Sequence, residues 1–321
     1  MTKNKNMTKK TFLTFISIIC LCMSAAAQDF LSPAGTYLYE KRDTCDLFLD
    51  IYYPAKGSQT KIDGKEKPTI IFMFGGGFIT GERDNESYNK WFRQLTDNGY
   101  GVISIDYRLG LKGSSKVGIA QTNLLDKAIH MAVEDLFSAT NFLIDNADEL
   151  KINPKNLVIS GSSAGAISVM QAEYEIANQT SWAKVLPKDF NYAGVMSFAG
   201  AIFSREGKVD FKTSPCPALM LHGTADSIVP YKQIAVLNLG FFGAGKLVER
   251  FKKYDLNYNM YHFKDYGHEI AGSMDTTFDL QVKFLENNVM QGKKRIVEVW
   301  ISDPNIYKGS SLKSRKDIYG N

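Results

Sequence analysis

Cysteine and histidine are scarce in this chain of 321 residues, four of each. No two of them stand at the spacing of a zinc site, so neither a structural nor a catalytic zinc centre is expected. Cys20 and Cys22 fall in the first 27 residues. Cys45 and Cys216, the other two, are too few and too far apart for a disulfide framework, and separate buried thiols are expected. Excess charge is lacking as well. The formal net charge of +4 matches the four lysines Lys3, Lys5, Lys9 and Lys10, and the rest of the chain has 34 basic residues against 34 acidic ones. A near-neutral body has no global attraction to nucleic acid or to an anionic membrane. After Met23 no apolar run is long enough to span a bilayer. Internal repeats and low-complexity linkers are also missing, which leaves one large domain with a sizeable core.

The first 27 residues resemble a secretory signal peptide. The four lysines form a positive start, Phe12 to Met23 an apolar stretch, and Ala25-Ala26-Ala27 a small-residue cleavage site, making Gln28 the expected mature N-terminus. The apolar stretch is too short for a comfortable membrane anchor. A secreted or periplasmic protein follows, with no stable membrane insertion after cleavage. Residues 28–291 form the expected catalytic domain, and 292–321 a locally basic extension that could hold an extra strand at Ile296 to Ile301.

Short apolar strands alternate with longer amphipathic stretches. Cys45 to Tyr53, Thr69 to Phe74, Gly101 to Asp106, Asn156 to Gly161, Val195 to Phe198, Pro217 to His222 and Asn257 to Phe263 read as strands. Ser87 to Thr96, Leu124 to Ile144, Ala164 to Ala177, Leu247 to Tyr254 and Asp275 to Asn288 read as helices. The middle strands are apolar almost throughout, as strands buried on both faces must be. The pattern predicts an α/β fold with helices on both faces of a mostly parallel sheet of about eight strands.

Gly161-Ser162-Ser163-Ala164-Gly165 lies at one of the predicted strand-to-helix turns and fits G-x-S-x-G. A sharp turn there would hold the Ser163 hydroxyl clear of the backbone. A serine is a weak nucleophile unless a base takes its proton and a third group orients the base. His268, in the loop Tyr266-Gly267-His268-Glu269, is the candidate base; His262 sits inside an apolar strand and reads as structural. Asp226, four residues past the strand end at His222, is the candidate acid, with Glu269 a weaker one. Phe74-Gly75-Gly76-Gly77-Phe78 follows a buried strand. Its bare N–H groups at Gly76 and Gly77, with that of Ala164, could hold a developing oxyanion. Gly240 to Leu247 nearly spells a P-loop, but Leu247 replaces the magnesium-binding hydroxyl and the stretch reads as following a helix rather than a strand.

Together these motifs resemble the α/β-hydrolase superfamily, and within it the esterases and lipases related to hormone-sensitive lipase and the carboxylesterases. The resemblance runs from about Asp43 to Asn288 and includes Asp106-Tyr107-Arg108-Leu109. It implies Ser163 as nucleophile, His268 as general base, Asp226 as its partner and Gly76, Gly77 and Ala164 as oxyanion donors, with no cofactor or metal. It also implies a structural Arg108, for which a salt bridge to Asp135 is expected. Phe74 departs from the family, whose glycine-rich turn usually begins with histidine. The stretch Gln28 to Arg42 is too short for the helical cap of many lipases, so a shallow, open site is expected. The implied substrates are small-molecule or polysaccharide esters with short acyl groups. The alternatives are a serine peptidase of the same fold or a catalytically silent binding protein.

Overall fold

The computed structural model describes residues 31–114 and 122–302. The expected signal peptide and most of the basic extension lie outside the described residues. Nine strands make the central sheet: β1 (Gly35–Arg42), β2 (Cys45–Tyr52), β3 (Thr69–Met73), β4 (Gly101–Ile105), β5 (Leu157–Ser162), β6 (Gly194–Phe198), β7 (Ala218–Gly223), β8 (Tyr258–Phe263) and β9 (Ile296–Ile301). Their spatial order is β1-β2-β4-β3-β5-β6-β7-β8-β9. β2 runs antiparallel to β1 and β4, and from β4 onward every pairing is parallel.

The strands from β3 to β8 are buried almost throughout, the state that continuous apolar runs require of a sheet covered on both faces. Helices α1 (Asn89–Asp97), α2 (Thr122–Asp145), α3 (Ala164–Ala177), α4 (Ala244–Lys253) and α5 (Phe278–Phe284) supply the cover. On one side Phe72 of β3 packs edge-on against Trp91 and Phe92 of α1. The Trp91 indole N–H donates to Gln281 of α5 at 2.7 Å, satisfying two polar groups that burial would otherwise leave unpaired. On the other side α2, α3 and α4 pack, joined in part through Phe211, whose ring meets Tyr174 and Phe251 edge-on.

Parts of the fold differ from the sequence reading. β1 was not anticipated, because its alternation of half-buried and exposed residues is carried by Tyr, Glu and Lys rather than by an apolar run. The extra strand offered at Ile296–Ile301 is present: it pairs along β8, stacks Trp300 on His262 at 4.2 Å and, with β1, brings the sheet to nine strands. The near P-loop spans a strand, Leu239–Gly243, and the start of α4, so it follows a strand and not a helix. That strand forms a small three-stranded sheet with Gln233–Val236 and Ala201–Ser204. The two described cysteines are free and separate, as expected, but Cys45 is exposed where a buried thiol was expected. It opens β2 directly after the β1–β2 turn.

Glu173 on α3 is fully enclosed. Its Oε1 accepts the Cys216 N–H at 2.7 Å, while Oε2 has no partner among the described residues. Burial raises its carboxyl to about 7, against the pull of its hydrogen bonds. An acid with a raised folded pKa contributes stability below its unfolded value, and loses it as pH rises through the folded value. Glu173→Gln is therefore expected to stabilise the protein by about 2 kcal/mol at pH 8 and to change little at pH 4.5. Urea unfolding at the two pH values checks the difference.

Candidate active site

The carboxyl ends of β5, β7 and β8 converge on one edge of the sheet. Ser163 occupies the single residue between β5 and α3, with φ 50° and ψ −112°. A non-glycine residue in that conformation costs roughly 1–3 kcal/mol, and it persists only where its surroundings hold it. Here they do. Ser163 N–H donates to Phe198 at the end of β6 at 3.0 Å, and Ser162 Oγ donates to the Ala271 carbonyl at 2.7 Å. Gly165 passes so close to β3 that a Cβ on it would lie 2.1 Å from the Met73 carbonyl oxygen. The glycine after the serine is therefore a packing requirement of the turn.

Ser163 Oγ lies 2.7 Å from His268 Nε2, and His268 Nδ1 lies 2.8 Å from Asp226 Oδ2. The two loops that carry the histidine and the acid are tied together. Ala225 N–H donates to the Tyr266 carbonyl at 2.8 Å, and Asp265 N–H to Thr224 Oγ1 at 2.9 Å. Asp226 Oδ1 accepts the N–H groups of Ile228 at 2.8 Å and Val229 at 3.0 Å. Burial works against the charged carboxylate, but hydrogen bonds from His222 and His268, and their charge when protonated, hold Asp226 well below the usual carboxylate range. All three site residues are buried, with exposures of 8%, 9% and 6% for Ser163, Asp226 and His268. Glu269 is not on the histidine ring. Its carboxylate accepts the Gly267 N–H at 2.9 Å.

The glycine-rich turn lies beside Ser163. A Cβ on Gly75 would fall 3.3 Å from that of Ser163. Gly76 has φ +129° and a Cβ there would meet the Thr80 carbonyl at 1.9 Å, so only glycine fits. Gly77, at φ 66°, continues the left-handed path. Two tyrosines fix the turn. Tyr88 accepts the Gly75 N–H at 3.3 Å, and the buried Tyr107 hydroxyl donates to the Phe74 carbonyl at 2.8 Å. Phe74 and Tyr107 also stack at 4.4 Å. The aromatic at the family's histidine position thus has a partner that orders the turn. Tyr107→Phe is expected to lower kcat about fivefold and to cost about 1 kcal/mol of stability, because one buried hydrogen bond is lost while the ring packing stays. Parallel rate and unfolding measurements check it.

The Asp106-Tyr107-Arg108 segment is structural on either side of that tyrosine. Asp106 accepts from Phe48 N–H at 3.1 Å and pairs with Arg83 at 2.9 Å. Arg108 reaches the fully buried Asp135 at 2.8 Å, the expected salt bridge, and also contacts Glu134. Sequence reasoning brought Ser163, His268, Asp226 and the glycine turn to one place. It missed Tyr88, Tyr107 and His222 as parts of the same assembly. For His222 a signal was present, a histidine at a strand end four residues before the acid. Among the described residues no group of three or more His, Cys, Asp or Glu is placed to hold a metal ion. No helix of the described residues is long and apolar enough to cross a membrane.

A nine-stranded, mostly parallel sheet with a serine at a strained strand-to-helix elbow, hydrogen-bonded to a histidine from a later loop, is the α/β-hydrolase architecture. The chain has that fold. Residues 49–202 match the BD-FAE family. Among curated proteins, the chain is 33% identical over 132 residues to the non-reducing polyketide synthase ausA of Emericella nidulans, covering 41% of this chain and 5% of that protein. It is 30% identical over 107 residues to gut esterase 1 of Caenorhabditis briggsae, covering 33% and 18%. The chain therefore spans less than a fifth of the length of these two relatives. Among solved structures, the esterase Est2 of Thermogutta terrifontis shares the fold with a TM-score of 0.56 at 22% identity, over 79% of this chain and 92% of that one.

Proposed function

We propose that the protein is a serine carboxylic-ester hydrolase acting on short acyl esters, acetyl esters of polysaccharides included. The observation that carries this reading is the unbroken hydrogen-bond line from Ser163 Oγ through His268 to Asp226, at 2.7 and 2.8 Å. In this reading His268 Nε2 takes the Ser163 proton as Oγ attacks the ester carbonyl. Asp226 keeps the proton on Nδ1 and stabilises the imidazolium that forms. The N–H groups of Gly76, Gly77 and Ala164 stabilise the tetrahedral oxyanion. The imidazolium then returns its proton to the departing alcohol, leaving the acyl group on Ser163. A water deprotonated by the same histidine releases the acid.

The preference for short acyl groups rests on the expected export of the chain. In the same reading the mature protein begins at Gln28 and works outside the cytoplasm, without a nucleic-acid partner or a stable membrane anchor. A p-nitrophenyl ester series, run beside acetylated xylan, tests it. The expected result is release of acetate from xylan and a kcat/KM that falls at least about tenfold from acetate to octanoate. Preference for the octanoate would overturn the short-acyl reading. Faster turnover of peptide anilides than of any ester would favour the peptidase alternative.

A further inference from the structure

His222 is the penultimate residue of β7 and has no exposed surface. Its Nε2 lies 3.2 Å from Asp226 Oδ2 and 3.2 Å from the Val229 carbonyl oxygen. Both neighbours are acceptors, so Nε2 must carry the proton. Nδ1 is buried and has no hydrogen-bond partner among the described residues. A buried N–H without an acceptor is costly, so of the two ring nitrogens Nε2 is the one placed to carry a proton.

The oxygen it reaches is the same Oδ2 that receives His268 Nδ1. The Asp226 carboxylate therefore has four donors: two amides on Oδ1 and two imidazoles on Oδ2. The second imidazole is itself braced. Tyr231 meets the His222 ring edge-on at 5.7 Å, and the Tyr231 hydroxyl is 2.6 Å from Nδ1 of His262. His262 is the partner of His222 in the β7–β8 register, and its Nε2 faces Glu298 of β9 at 3.2 Å. These residues, with Asp226 and His268, are the titratable groups around His222; Lys252 pairs with Glu298 farther out.

We propose that His222 is a positioning residue for the reaction: its Nε2–H fixes the direction of Asp226 Oδ2 and takes up part of that oxygen's charge. The inference rests on the Ser163–His268–Asp226 reading above. A carboxylate free to turn would hold His268 less well for proton transfer. One relieved of its second donor would concentrate more negative charge on Oδ2 and favour the imidazolium more strongly in the resting enzyme.

The test compares pH profiles of kcat/KM for p-nitrophenyl acetate in the wild type, His222→Leu and His222→Gln. Glutamine carries an N–H donor at the same number of bonds from the backbone as Nε2. The expected result for His222→Leu is a loss of about tenfold in kcat with little change in KM, and an acid limb moved upward by about half a pH unit. In His222→Gln most of the rate and the position of the limb should return. Wild-type behaviour of both variants overturns the proposal. So does an equal loss in both with an unmoved limb, which is the signature of packing alone. A nitrogen-15 spectrum of histidine-labelled wild type gives a check that needs no variant to fold. The chain has four histidines, and the His222 signals should show a proton on Nε2; a tautomer with its proton on Nδ1 alone overturns the proposal. An inert wild type with an inert Ser163→Ala control would fail the esterase reading itself. An active wild type with an indifferent His222 would fail only this inference.

Discussion

Ser163→Ala is expected to lower kcat on p-nitrophenyl acetate by about 10⁴-fold or more, with the protein still folded. The size follows from the chemistry. Without Oγ no acyl-enzyme can form, and His268 has only a loosely held water to deprotonate. What remains is oxyanion stabilisation and binding, which in triads of this kind still exceed the rate in water. The fold should tolerate the change, since alanine keeps the Cβ and the elbow is held by backbone contacts, among them Ser163 N–H to Phe198 at 3.0 Å. Steady-state kinetics beside a circular-dichroism melt decides it. Full activity in a folded variant would remove Ser163 from the chemistry.

Asp226→Asn is expected to cost nearly as much, about 10⁴-fold in kcat, by a different route. If the amide oxygen of asparagine keeps the Ile228 and Val229 N–H groups, its NH₂ must face His268 Nδ1. A donor there drives the proton of His268 to Nε2, the nitrogen that has to accept from Ser163. The same NH₂ would also oppose the N–H of His222, whose Nε2 lies 3.2 Å from Oδ2. Acid stability supplies an independent check. A carboxylate with a lowered folded pKa contributes stability above its unfolded value, near 3.8, and loses it as pH falls toward the folded value. The wild type should therefore lose part of its stability below about pH 4, and Asp226→Asn should lose less over the same range. Equal slopes in the two proteins would contradict the strong pairing seen at this carboxylate.

Much of the site was legible because its pieces have local signatures. A strand, a glycine, a serine and a helix in succession can be recognised without tertiary information, as can three glycines after a buried strand. The same holds for the aspartate and histidine that follow strand ends in the required order. The pieces that were missed have only long-range signatures. Tyr107 reaches Phe74 across 33 positions, and Ser162 ties to Ala271 across 109. Nothing in the spacing of those residues marks them. β1 and the three-stranded sheet went unread for a related reason. Their strands are short or carry polar alternation, and they gain stability only by pairing with segments distant in the chain.

By itself, then, the sequence determined the α/β class, the order of most strands and helices, and which serine, histidine and aspartate were candidates for one site. It could do so because hydrophobic periodicity and turn chemistry act within a few residues. Tertiary structure decided the rest. It paired Ile296–Ile301 along β8, stacked Trp300 on His262, and left Cys45 in solvent. It also chose which side chains surround the acid. Hydrogen bonds at 2.8 and 3.2 Å give the Asp226 oxygen two imidazoles where local pattern supplied one. Such contacts depend on strand register and on which loops meet at the sheet edge, and both are set by the packing of the whole chain.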